Sequence, residues 1–196
     1  MTSKTEIPPQ KSTTLPEKFL LSVEDYHRMA EIGIFDDQPR VELIDGEILV
    51  RSPISPYHNS HVSKVSEFFH RVLLDRIIVW TQSSIRLDSY SEPEPDIALL
   101  RKQEDFYNKS HPSPSDVHLL VEVAVKTITK DRTLKLEKYA RSGIPEYWIV
   151  IPEEECVEVY RRPKGGEYQE KNTYAKADGW LFEIFELEVK GSDLLI

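Results

Sequence analysis

Cysteine is nearly missing from this chain: Cys156 is the only one. An intramolecular disulfide is therefore excluded, and so is a cysteine-rich zinc site. Such cysteine usage makes a cytoplasmic setting the expectation. Glycine is also scarce. The seven glycines form no phosphate-cradling Gly-rich loop, which argues against a nucleotide-cofactor enzyme, and no Gly-x-Ser-x-Gly element announces a serine hydrolase. No apolar run reaches the length needed to span a membrane, so no membrane partner is expected. Residues 1–19 are polar, carry Pro8, Pro9 and Pro16, and lack the apolar stretch of a signal peptide; they are expected to form a disordered arm. Positive charge is short as well, with a net charge of −9. A nucleic-acid binder usually carries the opposite sign, so any attraction for a polyanion has to be local.

The remainder, 20–196, reads as a single domain. With 39% hydrophobic and 30% charged residues in a chain of 196, it can bury one substantial core. Ser22 followed by Asp25 predicts a helix start, with the helix running to about Gly33. Asp45-Gly46-Glu47 between Val41–Ile44 and Ile48–Val50 predicts a β-hairpin. From His58 to Asp75, apolar Val62, Val65, Phe68, Phe69, Val72 and Leu73 recur three and four apart, predicting an amphipathic helix. Strands are expected at Ile77–Thr81, Ile85–Leu87 and Pro95–Leu100. A polar loop of about fifteen residues follows, long enough to suggest a functional segment. Val117–Val125 is the most apolar stretch; then come a helix over Asp131–Ser142 closed by Gly143, and strands at Tyr147–Ile151, Cys156–Tyr160 and Glu167–Thr173. Strands interleaved with helices point to an α/β fold with a mixed sheet, since hairpins need antiparallel pairs and the helix after Val125 implies a parallel crossover.

Glu122 is the most informative residue. It interrupts the apolar run His118–Val125, which reads as a central strand covered on both faces. A glutamate there is costly unless it is paired with a lysine or arginine, or holds a metal. Strand alternation puts Glu122, Ala124 and Lys126 on one face. Asp96 stands where another strand begins, after Glu94-Pro95, so the proline forces an extended approach and fixes the carboxylate's direction. Two strand carboxylates can share one hard cation, and a nearby lysine can stabilise charge developing on a phosphate. So close a pair repels, which predicts a raised pKa for one of them. Between Lys126 and Arg141 lie six basic and two acidic residues, locally +4. That segment is either a solvated helix face or a basic wall beside the acidic site. Tyr139 falls one turn beyond Lys135, either holding that lysine or filling the core. Tyr147 and Trp148 read as core.

The chain resembles a known family through Pro95-Asp96, Glu122-Val123, Asp131-Arg132 with Lys135 and Tyr139, and above all Gly143-Ile144-Pro145-Glu146-Tyr147-Trp148. Upstream, Glu42-Leu43-Ile44-Asp45-Gly46 and Ser52-Pro53 with His58 fit the same pattern, so the likeness covers roughly residues 20 to 160. These features are similar to a restriction-endonuclease-like family abundant in cyanobacteria, within the PD-(D/E)XK nuclease superfamily. The resemblance implies a mixed sheet flanked by helices as the core. To that core this chain adds an N-terminal helix and hairpin and C-terminal strands. It implies Asp96 and Glu122 as ligands of Mg2+ or Mn2+. The superfamily's usual lysine position, two residues after the glutamate, is Ala124 here, which shifts that role to Lys135, with Lys126 as rival. Where the family tends to have Ser-Pro, this chain has Val125-Lys126. The pattern makes Glu42 an auxiliary acid and sets His58 in the cleft, with His61 incidental.

The function expected from these residues is metal-dependent endonucleolytic hydrolysis of nucleic acid, DNA in the first place. The alternative is a catalytically weak binding or structural module on the same fold. Cutting both strands of a duplex requires two sites, so a homodimer is the expected assembly.

Overall fold

The computed structural model describes residues 18–37 and 39–196. The expected N-terminal arm lies outside the described residues except for its last two, Lys18 and Phe19.

Helix α1 (Val23–Glu31) opens on a reciprocal cap: Ser22 Oγ accepts from Asp25 N at 3.1 Å, while Asp25 accepts from the Ser22 hydroxyl and backbone. It ends two residues before Gly33. Strands β1 (Val41–Ile44) and β2 (Glu47–Val50) pair antiparallel across Asp45-Gly46. Both turn residues have positive φ, 49° and 77°, as a two-residue turn matching the strand twist requires. Helix α2 (Pro56–Leu73) starts two residues before the predicted position, because Ser55 caps it and Pro56 suits a first helical turn.

Six strands form the main sheet. They are β3 (Ile77–Thr81), β4 (Ile97–Arg101), β5 (Val117–Val123), β6 (Glu146–Ile151), β7 (Cys156–Lys164) and β8 (Glu167–Ala175). They lie in that order, with β5 and β6 parallel and every other neighbouring pair antiparallel. The parallel pair is joined by a helical crossover: α3 (Ile128–Lys130), a π-helical turn over Asp131–Lys135, and α4 (Leu136–Arg141). Gly143, with φ of 75°, ends it. A second hairpin, β9 (Gly179–Phe182) with β10 (Leu187–Lys190), leads into α5 (Gly191–Leu194).

Strand alternation divides the core in two. Ile97, Leu99, Leu119, Val121, Val123, Trp148 and Val150 face α2 and the C-terminal hairpin. Ala98, Leu100, Leu120, Ala124, Tyr147 and Ile149 face the crossover helix with Tyr139. Asp96 and Glu122 fall in the second set by the same alternation. This is the mixed sheet flanked by helices that the sequence predicts.

One expected strand does not form. Ile85–Leu87 makes single backbone bonds to Pro93, Pro112 and Ser91 but enters no ladder. The segment opposite carries Pro93 and Pro95, which have no N–H to donate. Among the described residues, no helix is long and apolar enough to cross a membrane.

Candidate active site

The register of β4 and β5 pairs Ile97 with Val121, so Asp96, one residue before β4, stands opposite Glu122. Asp96 Oδ2 accepts from the Val123 backbone N–H at 2.9 Å and lies 3.0 Å from His58 Nε2. His58 reaches it from the first turn of α2, where the Ser55 cap and Pro56 fix the helix start. His61 points elsewhere, its Nδ1 bonded to the Tyr57 carbonyl.

Lys135 comes from the opposite layer. Its Nζ lies 2.6 Å from Glu122 Oε1 and 3.8 Å from Glu42 Oε2. The Tyr139 hydroxyl donates to the same Glu122 Oε1 at 3.0 Å. Lys135 and Tyr139 are four apart and share a helix side. The π turn beneath them buries Asp131 as well as Lys135, and such turns recur at functional sites. Glu42 is fully buried on β1; Lys130 Nζ bonds its Oε1 at 2.7 Å and the Glu94 N–H its Oε2 at 3.2 Å. The five residues singled out in the sequence therefore meet in one cluster at the ends of β4 and β5. A cleft lined by Arg51, His58, Asp96, Glu122, Lys126, Lys130 and Lys135 opens onto it.

Burial and charge tune these groups in opposite directions. Burial pushes the Glu122 carboxyl up to about 8 against the pull of Lys135, with Asp96 and Asp131 adding to the rise. The expected rise from close carboxylates is therefore present, but desolvation is its main cause. Burial also works to raise Asp96, yet His58, Lys135 and the Val123 N–H outweigh it and hold that carboxyl below its ordinary value. Glu42 likewise ends low, because Lys135 and Lys130 outweigh its burial. Lys135 overcomes its own burial through Glu122, Glu42 and Asp131 and is held above the usual lysine range. It is the fixed positive charge of the cluster.

Two readings of single residues are decided here. Lys126 does not share a strand face with Glu122, because β5 ends at Val123 and Lys126 is exposed at the cleft rim. The segment from Lys126 to Arg141 divides: Lys126, Lys130 and Lys135 line the cleft beside the carboxylates, while Arg132, Lys138 and Arg141 pair elsewhere. Lys130 binds Glu42, Lys135 binds Glu122, and Lys138 binds Asp45 and Asp88 at 2.6 Å each. Arg132 binds Glu158 and Arg141 pairs with Glu137. The bases of this segment thus pair with particular carboxylates of other elements and of their own helix.

Three cleft residues received no role from the sequence, although Lys130 stands in the basic segment and Asp131 in the family pattern. Arg51 is mostly buried, bonds Glu94, and lies 3.9 Å from Asp96 Oδ1. Lys130 supports Glu42. Asp131 buries an Oδ1 with no hydrogen-bond partner among the described residues. Their alignment depends on how the hairpin and the crossover helix approach the sheet, and no local spacing encodes it.

The donor set suits a hard divalent cation. Both hydrogen bonds to Glu122 fall on Oε1 and both to Asp96 on Oδ2. Each carboxylate thus keeps one oxygen free of protein hydrogen bonds among the described residues. Mg2+ and Mn2+ bind through one or two such oxygens and retain water.

Comparison with known proteins bears on the fold and the family. The chain is similar in structure to "a putative nuclease belonging to DUF820" from Anabaena variabilis, with a TM-score of 0.61 and 17% identity, covering 80% of this chain and 89% of that one. Identity that low shows the shared fold. No curated protein matches the chain. The model of the Uma2 family, described as "Putative restriction endonuclease", matches residues 23–191, from the first helix to the start of the last. The chain belongs to that family.

Proposed function

We propose that this protein is a Mg2+- or Mn2+-dependent endonuclease that hydrolyses phosphodiester bonds of nucleic acid, with DNA as the substrate. The observation that carries the reading is the opposed pair Asp96 and Glu122, each with a free oxygen, beside a lysine delivered by a separate helix. Asp96 and Glu122 would hold the ion, which would supply Lewis-acid polarisation of the phosphoryl group and a more acidic water at neutral pH.

The remaining residues position and neutralise. Lys135 fixes the direction of Glu122 and brings a permanent charge to the cleft, where it favours the anionic transition state. Tyr139 pins the same oxygen from behind. His58 aligns Asp96 and lines the cleft. Glu42 keeps Lys135 and Lys130 in place and acts as the auxiliary acid. Arg51 and Lys126 offer cationic contacts to a bound phosphate backbone. The charged lining of the cleft sets Asp96, Glu122 and Asp131 against Arg51, Lys126, Lys130 and Lys135, so the cleft is not acidic although the chain is. A divalent ion would add to the positive side of that lining, which reconciles the net charge of −9 with a nucleic-acid substrate.

The same reading takes 20–196 as one domain in a cytoplasmic protein. It takes the functional unit as a homodimer, because a duplex cut needs two sites. Strand β8, paired only with β7 and largely exposed, is an edge available for a second copy.

Plasmid cleavage with and without millimolar Mg2+ or Mn2+, comparing wild type with Glu122→Ala, tests the proposal. Nicking or linearisation that needs the ion and vanishes in the variant supports it. If wild type retards DNA in gels at every ion condition and never cuts it, the chain is a binding module on a nuclease fold. The direct Lys135–Glu122 contact favours that second reading.

A further inference from the structure

A second cluster of metal-binding side chains lies outside the cleft. His27 projects from α1, Glu92 from the segment before β4, and His111 from the long loop between β4 and β5. His27 Nε2 is 2.8 Å from Glu92 Oε1, and His111 Nε2 is 3.8 Å from the same oxygen. The ligand atoms of all three lie within 4.8 Å of one another. Donors around a tetrahedral ion at about 2.1 Å are roughly 3.4 Å apart, a spacing the two distances bracket.

The hydrogen-bond accounting of this cluster does not close. Glu92 is 2% exposed, yet its Oε2 has no hydrogen-bond partner among the described residues. A proton on His27 satisfies Oε1 alone. His111 stays beyond hydrogen-bond reach although its ring packs edge-on against His27 at 5.8 Å between centroids. A buried carboxylate oxygen left unsatisfied is costly, and a divalent cation among the three side chains would compensate the carboxylate's charge more fully than one proton on His27 at Oε1. Both histidines are about two-fifths exposed, and a recess lined by Trp80, Arg86, Tyr107 and Asn108 adjoins them. Solvent can therefore reach the remaining coordination position.

We infer that His27, Glu92 and His111 form a binding site for a zinc-class divalent cation, distinct from the oxygen-rich cleft and tying the loop 102–116 to α1. Imidazole donors favour Zn2+ and Co2+ over Mg2+, whereas the carboxylates of the cleft do the reverse. The long loop makes few backbone bonds of its own, and one ion would bridge it to two other elements.

Co2+ is the probe, added to the full chain with Mg2+ in large excess to occupy the cleft. Wild type is expected to bind about one equivalent in equilibrium dialysis and to show the strong visible absorption of four-coordinate Co2+. His27→Ala and His111→Ala should each weaken binding at least tenfold and lose that absorption. His70→Ala, an exposed histidine on α2, should behave as wild type. Zn2+ should also slow protease cleavage within 102–116 in wild type and not in His111→Ala. Absence of Co2+ binding by wild type under Mg2+ overturns the inference, and so does binding undiminished in His27→Ala and His111→Ala. Neither result bears on cleavage in the other cleft.

Discussion

Lys135 Nζ and Glu122 Oε1 are 2.6 Å apart, and both side chains are almost fully buried. The two belong to different layers, one to the crossover helix and one to the central strand. Their contact fixes how the helix sits on the sheet, and it places a cation against the carboxylate of the proposed metal site. Removing Glu122 leaves the buried Lys135 with the more distant Glu42, 3.8 Å away, and removing Lys135 leaves a buried carboxyl without its cation.

Lys135→Met should therefore destabilise the protein, by about 3–5 kcal/mol where Glu122 is ionised, above its value of about 8. Adding Glu122→Gln should recover much of that loss, because Tyr139 then faces a neutral amide in place of a stranded carboxylate. Urea unfolding of wild type, the single variant and the double variant measures the coupling. A double variant no more stable than Lys135→Met would show that the ion pair does not hold the layers together.

Asp96→Asn keeps an oxygen to accept from the Val123 N–H but replaces a hard carboxylate ligand with an amide. The variant should stay folded. A divalent ion that binds only the folded state raises the melting temperature of wild type, and the variant should lose that Mg2+-dependent gain together with cleavage. Thermal melts with and without millimolar Mg2+ decide it; equal gains in both proteins would remove Asp96 from the metal site.

Glu158 is a buried carboxylate whose pKa burial tends to raise, but Arg132, Lys171 and Tyr160 bond it and hold it below its ordinary 4.5. With the folded value lowered, its contribution to stability is fully present above pH 4.5 and is lost as pH falls through the folded value. In that acid window the unfolded chain binds the proton that the folded chain refuses. Glu158→Gln should therefore flatten the loss of stability on acidification, with little change in slope near neutrality. Denaturation midpoints between pH 3 and 7 provide the check, and identical slopes in the two proteins would refute the assignment.

Gly46 and Gly143 share a positive φ, 77° and 75°, yet their surroundings differ. A Cβ on Gly46 would come within 2.6 Å of Leu20 Cβ and 3.1 Å of its Cα, whereas one on Gly143 meets nothing within 4 Å. Gly143→Ala should cost about 1–2 kcal/mol, the left-handed conformation alone. Gly46→Ala should cost more, because the chain entering α1 must also move. Equal losses in urea unfolding would mean that the segment at Leu20 yields freely.

The elements of this fold were legible because each rests on local physics. Ser22 and Asp25 cap a helix wherever they occur in that spacing, and Asp45-Gly46 turns a hairpin because both residues tolerate positive φ. The period of three and four in α2 needs an apolar surface to cover, and it has one. The exception, Ile85–Leu87, failed for a reason outside its own sequence: the prolines at 93 and 95 stand opposite and deny it a ladder.

For the site, the sequence alone determined which carboxylates are costly to bury. Glu122 in an apolar strand and Asp96 after a proline were conspicuous in the chain, and likeness to a known family added Lys135, Glu42 and His58. Only the tertiary structure decided what pays for that burial. Lys135 rather than Lys126 meets Glu122, because β5 stops at Val123 and the π turn aims Lys135 inward. Arg51, Lys130 and Asp131 join the cluster, and His27, Glu92 and His111 meet elsewhere across 84 positions of chain. Contacts between distant segments depend on how layers dock, and docking follows from the sum of the core packing. No short stretch of sequence carries that sum.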